Sequence, residues 1–301
     1  MERLTWASIG AGLDDALAVC RKIGLGLQVE RSRRFQEHRA CLAELTAAWH
    51  AGGSDAAREL FDRDRVRACT ALTEAAELVE SLPFIRTLPW DRVGSQLAVI
   101  LQGSPLPTDA AAAATRARDA LFELTMASQL WRAGWAPDFG APGLRCWGNG
   151  RVLYLECKRP VSRRGARQAH TDALEHLTWG LRGAPAGARG IVALSIGRFV
   201  NPGDRLVMYE RDALGKAHLS GEMTRVAEWL MRPMGQPVPP EGTIGLLWHV
   251  ITPGFDRHQN LLVVDQQLTV QPMTPPGSAD EILLRALFRT LRAMGAAKGR
   301  S

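Results

Sequence analysis

The first hundred residues carry apolar positions at helical spacing. These positions are Phe35, Leu42, Leu45 and Trp49 on one stripe, and Leu60, Leu72 and Leu78 in one or two further helices. Near residue 105 the pattern is interrupted by Pro105 and Pro107, and the composition changes. We therefore predict a helical N-terminal region over residues 1–105 and a second region, with α/β character, over residues 106–301.

The second region opens with a helix and a β-hairpin. The helix is predicted from about residue 110 to 133 and ends at Gly134, since glycine tolerates the left-handed conformation of a C-cap. Two strand patterns then flank Asn149-Gly150, and Asn-Gly is the strongest short-range signal of a tight hairpin turn. The strands of this hairpin are Leu144–Trp147 and Val152–Cys157.

A second amphipathic helix is predicted from Arg163 to about Leu181, followed by the apolar run GIVALSIGRFV, which is typical of a strand buried on both faces. Later segments are two further strands, Ile244–Ile251 and Leu261–Val270, and a C-terminal helix, Asp280–Met294. The order from residue 110 to 200 is helix, hairpin, helix, strand. That order predicts an α/β core with a mixed sheet flanked by helices.

Composition narrows the class of protein. With 301 residues and 46% hydrophobic residues the chain is long and apolar enough to fold around a core. No apolar run approaches the ~20 residues that span a bilayer, and the start MERLTWASIG lacks a signal-peptide layout, so we expect a cytoplasmic protein. Five cysteines without a C-x-x-C pair indicate buried thiols. A net charge of +6 weakly favours a polyanionic partner.

The predicted strand Val152–Cys157 leads into the pair Glu156 and Lys158. Residues two apart on a strand point to the same face, so these two project together while Leu155 and Cys157 pack behind them. Charges at the end of an apolar strand are costly to desolvate unless they are paired or bind a cation. Phosphodiester hydrolysis uses acids that hold Mg²⁺ and a lysine beside the metal. A surface ion pair is the alternative interpretation.

At this point the residues resemble a known family. FELTMASQLWRAGW, then PDF, then RVLYLECKRP, then a helix and a buried strand resemble the PD-(D/E)XK nuclease superfamily over about residues 115–200. The resemblance implies a restriction-endonuclease-like core of order α-β-β-β-α-β. It also implies a site in which Lys158 orients the attacking water beside Mg²⁺ or Mn²⁺. The implied metal ligands are Asp138, Glu156 and Glu123.

One departure from the family pattern concerns Asp138. If the turn centres on Asn149-Gly150, the residue opposite Glu156 is about Gly143, so Asp138 lies several residues before the hairpin partner position. Asp138 is alternatively an ordinary loop residue, and Glu123 alternatively pairs with an arginine.

Basic residues after the predicted catalytic strand are candidates for binding phosphates, because a guanidinium group can donate two parallel hydrogen bonds to phosphate oxygens. The candidate nucleic-acid-binding residues are Arg159, Arg163, Arg164, Arg167 and Gln168. The arginines are alternatively a solvated helix start, although cations there oppose the helix dipole. His170 lies on the apolar face of its helix and is expected to be a packed core residue.

The sequence therefore predicts a metal-dependent nuclease for which DNA is preferred over RNA as the substrate, with the choice between DNA and RNA and between endonuclease and exonuclease activity left open. The N-terminal region is assigned to DNA recognition, a protein partner or a homo-oligomer. One rival is a nuclease-fold protein that has lost catalysis and binds nucleic acid or proteins. Another is a structural α/β protein without a polyanionic partner.

Overall fold

The computed structural model describes residues 4–106, 112–139, 143–209, 212–231, 239–257 and 260–297. Within these ranges the chain folds as a mixed α/β protein in which helices flank a mixed sheet. No helix in them is long and apolar enough to cross a membrane. The predicted thiols are all free and buried.

Helices occupy the N-terminal region, as predicted. The longest of them, Arg33–Arg63, is capped by Ser32, whose hydroxyl accepts the Phe35 N–H at 3.4 Å, and it is interrupted at Gly52 and Gly53. The helices are α1 (Trp6–Cys20), α2 (Gly26–Arg31), α3 (Arg33–Arg63), α4 (Arg65–Ile85) and α5 (Trp90–Leu101), with a π-helical turn at Arg21–Leu25.

The strands of the sheet are β1 (Leu4–Thr5), β2 (Ala136–Phe139), β3 (Leu144–Gly148), β4 (Arg151–Lys158), β5 (Arg189–Ser195), β6 (Val207–Tyr209), β7 (Thr243–Asp256) and β8 (Leu261–Pro272). Their order is β1-β8-β7-β5-β4-β3-β2, and β6 pairs with the C-terminal end of β7. The β4-β5 and β5-β7 pairs are parallel, whereas the β2-β3, β3-β4 and β7-β8 pairs are antiparallel.

The predicted hairpin is confirmed. Asn149 and Gly150 have φ of 53° and 70°, as both central residues of a type I′ turn require, and β3 and β4 pair from Gly148↔Arg151 to Leu144↔Leu155. This register places Gly143 opposite Glu156, where the sequence predicted it. The C-terminal end of β4 therefore extends past the start of β3.

The helices of the second region cover both faces of the sheet. Ser162 caps the second of them by accepting the Gly165 N–H at 3.0 Å, and Gly134 follows the first with φ of 84°. These helices are α6 (Ala112–Arg132), α7 (Arg163–Arg182), α8 (Gly197–Val200), α9 (Asp212–Met231) and α10 (Ala279–Ala297). The predictions for α6, α7 and α10 are confirmed to within a few residues.

The strand predicted over GIVALSIGRFV was wrong in its second half. β5 ends at Ser195, and the chain turns into the short helix α8 with Gly197 packed against the backbone of Ile251. Phe199 and Val200 remain in the apolar core although they are helical. A run of buried residues does not distinguish strand from helix, which is why the pattern extended the strand too far.

One apolar core joins the two predicted regions. It contains Ile9 and Leu13 from α1 together with Leu124 from α6 and Leu155 from β4. A second core lies on the opposite face of the sheet, beneath α7. The boundary at residue 105 stays a prediction, and the shared core means that the N-terminal helices pack directly on the face opposite α7.

Candidate active site

Glu156 and Lys158 lie together on β4. Lys158 Nζ is 3.8 Å from Glu156 Oε2, and the two side chains are only 18% and 5% exposed. Leu155 and Cys157 point the other way into the first core, as the alternation of a strand requires. Glu156 is therefore buried and Lys158 is mostly covered, unlike the members of a surface ion pair.

Gly143 leaves room for the Glu156 carboxylate. It has φ of 63°, and a Cβ at this position would lie 2.5 Å from Glu156 Oε1 and 2.7 Å from the Leu155 carbonyl oxygen. Glu156 Oε1 is buried and has no hydrogen-bond partner within the described part of the chain. One oxygen of this carboxylate is therefore left without a hydrogen-bond partner among the described residues.

Two acids of α6 are close enough to influence this site. Asp119 and Glu123 are one helical turn apart, and Asp119 Oδ1 accepts the Arg159 backbone N–H at 2.6 Å. Burial raises the pKa of Asp119 to about 6, with Lys158 as the main opposing charge. Burial, and then repulsion from Glu156, raise the pKa of Glu123 to about 7, against a hydrogen bond from Gln96.

His176 of α7 contacts the same carboxylate from the solvent side. Its Nδ1 is 3.3 Å from Glu156 Oε2, and its side chain is 51% exposed. Burial raises the pKa of Glu156, whereas Lys158 and His176 lower it. His176 therefore connects the buried carboxylate to solvent.

Asp138 lies apart from the other predicted metal ligands. In β2 it pairs with Arg145, which in turn pairs with Tyr154 of β4, so Asp138 is two strands and two residues away from Glu156. Ideal strand spacing makes this roughly 12 Å between Cα atoms. The Asp138 carboxylate instead lies 3.1 Å from Arg145 Nη2 and 3.9 Å from Arg92. Its role as a metal ligand stays a prediction that this register does not favour.

The predicted nucleic-acid-binding residues divide into two groups. Arg159 is turned inward, where it pairs with Glu77 and lies over the Phe122 ring. Arg164 and Arg167 are exposed near the start of α7.

The other residues singled out on α7 vary in burial. Gln168 is exposed and donates to Asp172 Oδ1 at 2.7 Å, whereas the side chain of Arg163 lies outside the described residues. His170 is buried, as predicted, and burial lowers its pKa.

Three acids lie around one lysine at this site. The carboxyl groups of Asp119, Glu123 and Glu156 all have raised pKa values, and Lys158 is the principal positive charge near Asp119 and Glu156. A divalent cation would add positive charge and could be coordinated by the unpartnered Glu156 oxygen. Among the described residues no three acidic, His or Cys side chains already have the spacing of a metal site, so ligation requires these side chains to move closer together.

Sequence reasoning missed Asp119 and His176. A signal for Asp119 was available, because an acid one turn before Glu123 must share its helical face. His176 had no such signal, since its contact depends on how α7 crosses β4. The chain matches no family model, and no curated protein or solved structure is significantly similar to it.

Proposed function

We propose that this protein is a metal-dependent nuclease in which Glu156, Glu123 and Asp119 bind Mg²⁺ or Mn²⁺ and Lys158 acts beside the metal. The observation that carries the proposal is the Glu156–Lys158 ion pair on β4. This pair interacts electrostatically with the carboxyl groups of Asp119 and Glu123 on α6, whose pKa values are raised to about 6 and about 7. Strongly perturbed acids around one lysine are typical of functional sites.

The order of elements supports the same proposal. From α6 to β5 the chain runs helix, three antiparallel strands, helix, parallel strand, which is the order α-β-β-β-α-β of the superfamily that the sequence resembles. In that superfamily Glu and Lys occupy the third of these strands, and here they lie at the C-terminal end of β4. We therefore propose a restriction-endonuclease-like core.

The residues would divide the chemistry as follows. A bound divalent cation would lower the pKa of a water and offset charge on the phosphoryl group. Lys158, a compact cation with three donors, would hydrogen-bond the attacking water or the developing anion. His176, half exposed and in contact with Glu156, would exchange a proton with solvent. The exposed Arg164 and Arg167 would contact the phosphate backbone.

A cleavage assay tests the proposal. Purified wild-type protein is incubated with supercoiled plasmid, linear duplex, single-stranded DNA and RNA, each with Mg²⁺ or Mn²⁺. We expect metal-dependent cleavage of DNA that is lost in Glu156→Gln and Lys158→Met. The matched control is Glu175→Gln, which removes an exposed acid next to His176 and should retain activity.

Asp138→Asn distinguishes the two candidate sets of metal ligands. Retained activity assigns the third acid to Asp119, whereas a loss as large as that of Glu156→Gln means that Asp138 reaches the metal. If wild-type protein cleaves none of the substrates, the proposal fails.

The second candidate is a nuclease-fold protein that binds nucleic acid without cutting it. The ion pairs of Asp138 with Arg145 and Arg92 favour this alternative, because they occupy the acid that the superfamily motif assigns to the metal. This alternative would be supported if wild type binds DNA in a salt-sensitive manner without cleaving it. Glu156→Gln should then bind DNA as well as wild type does.

A further inference from the structure

A cavity of about 60 Å³ lies beyond the carboxyl ends of β4 and β5, on the side of α4 and α6. Ligands of α/β sheets commonly bind outside the carboxyl ends of parallel strands. Three arginines from three different elements line this cavity: Arg118 of α6, Arg159 after β4, and Arg198 of α8. Its volume holds about four waters or one group of the size of a phosphate.

The charges around the cavity do not balance. Glu74 is shared by Arg118 at 3.3 Å and Arg34 at 2.7 Å, and also contacts His38. Arg159 pairs with Glu77, and Arg198 pairs with Asp204 at 3.0 Å. Of the described groups that line the cavity, the three guanidinium groups of Arg118, Arg159 and Arg198 therefore face the two carboxylates of Glu74 and Asp204.

The acids around the cavity are themselves affected by burial. It raises the pKa values of Glu77 and Asp204, which weakens the negative charge available to the arginines. His38 adds no fixed charge, since burial lowers its pKa.

Unused donors line the same cavity. Arg159 Nε and Thr252 Oγ1 are both buried, and neither has a hydrogen-bond partner among the residues described. A buried donor left unpaired destabilises the folded protein. Arg159 Nε can only donate a hydrogen bond and the Thr252 hydroxyl is able to donate one, so a ligand that carries acceptors satisfies both.

We propose that this cavity binds a phosphate group, with Arg159, Arg198 and Thr252 as its donors. A guanidinium group presents paired donors that match phosphate oxygens, and Arg198, 29% exposed, lies where the ligand would enter. The phosphate belongs either to a free ion or mononucleotide, or to the end of a nucleic-acid strand. Arg159 directly follows Lys158, so the cavity begins one residue after the proposed metal site.

Isothermal titration of the full chain with inorganic phosphate, in EDTA and at constant ionic strength, tests the proposal. We expect saturable binding that weakens about tenfold or more in Arg198→Gln, because a charge-assisted hydrogen bond is lost. Thr252→Val replaces a buried unpaired hydroxyl with a methyl group, so it should keep its fold and still bind phosphate more weakly. The control Arg289→Gln removes an exposed arginine of α10 and should bind like wild type.

The source of the phosphate is resolved by two further titrations. Oligonucleotides with a 5′-phosphate are compared with 5′-hydroxyl oligonucleotides, and a mononucleotide is titrated separately. A preference for the phosphorylated end that Arg198→Gln removes assigns the site to strand ends. Binding of the mononucleotide without that preference assigns it to a free phosphate ligand.

The absence of saturable phosphate binding would overturn the proposal. Equal weakening in Arg198→Gln and Arg289→Gln would overturn it as well, since that result means general charge attraction. Binding unchanged in both Arg198→Gln and Thr252→Val has the same consequence. The measurement uses neither metal nor cleavage, so its failure is separate from a failure of the proposed nuclease activity.

Discussion

Replacement of Glu123 by Gln should change how the stability of the protein depends on pH. The pKa of this carboxyl rises from an ordinary 4.5 to about 7, because it is buried near Glu156. Between these values the native state binds more protons than the unfolded chain. The free energy of unfolding of wild type therefore falls as pH rises through this window. The fall due to Glu123 alone is about 3 kcal/mol.

The amide that Glu123→Gln introduces is neutral at every pH, so this variant should lack this part of the decline. In the variant the free energy of unfolding still decreases somewhat as pH rises, because Asp119 also has a raised pKa of about 6. Above pH 7 the variant should gain up to about 3 kcal/mol over wild type, relative to the difference at pH 4.5. Comparing how the free energy of unfolding changes with pH in the two proteins cancels any pH-independent cost of introducing the amide group.

Urea denaturation from pH 4.5 to 8 in EDTA measures the effect. The matched control is Glu59→Gln, which removes a Glu that is 78% exposed, and its slope should equal that of wild type. If Glu123→Gln also keeps the wild-type slope, Glu123 is ionised at an ordinary pKa and the electrostatic account of the site is refuted.

Two substitutions test the packing around the site. Gly143→Ala should destabilise the protein more than Gly150→Ala and should weaken metal binding. Both glycines have positive φ, but only at Gly143 would a Cβ collide with Glu156. Equal losses of stability in thermal unfolding would contradict this. Glu74→Gln should cost about 3–5 kcal/mol in urea denaturation, because Arg34 and Arg118 lose their buried partner. Its control Glu44→Gln breaks a half-exposed pair with Arg67 and should cost less than about 1 kcal/mol, and similar losses for the two variants would argue against the buried network.

The sequence predicted those features that depend on neighbouring residues. Asn149-Gly150 determined the turn, the turn determined the register, and the register placed Gly143 opposite Glu156. The alternation of β4 likewise separated Glu156 and Lys158 from Leu155. These predictions hold because turn geometry and strand period are local properties.

Features that depend on packing between distant elements were not predictable in this way. Asp138 belongs to β2, whose pairing with β3 places it beside Arg145 rather than Glu156. Arg159 turned inward because α4 supplies Glu77, 82 residues earlier in the chain. Sequence spacing does not reveal the contact of Arg159 with Glu77, because it depends on how α4 packs against the sheet in the shared core.

Mn²⁺ binding followed by electron paramagnetic resonance measures directly whether Glu156 and the α6 acids take up a divalent cation. We expect one Mn²⁺ bound per wild-type chain, displaced by Mg²⁺, with binding lost in Glu156→Gln and retained in Glu175→Gln. If wild type leaves millimolar Mn²⁺ free in solution, or if Glu156→Gln binds it as tightly as wild type, the proposed metal site does not exist.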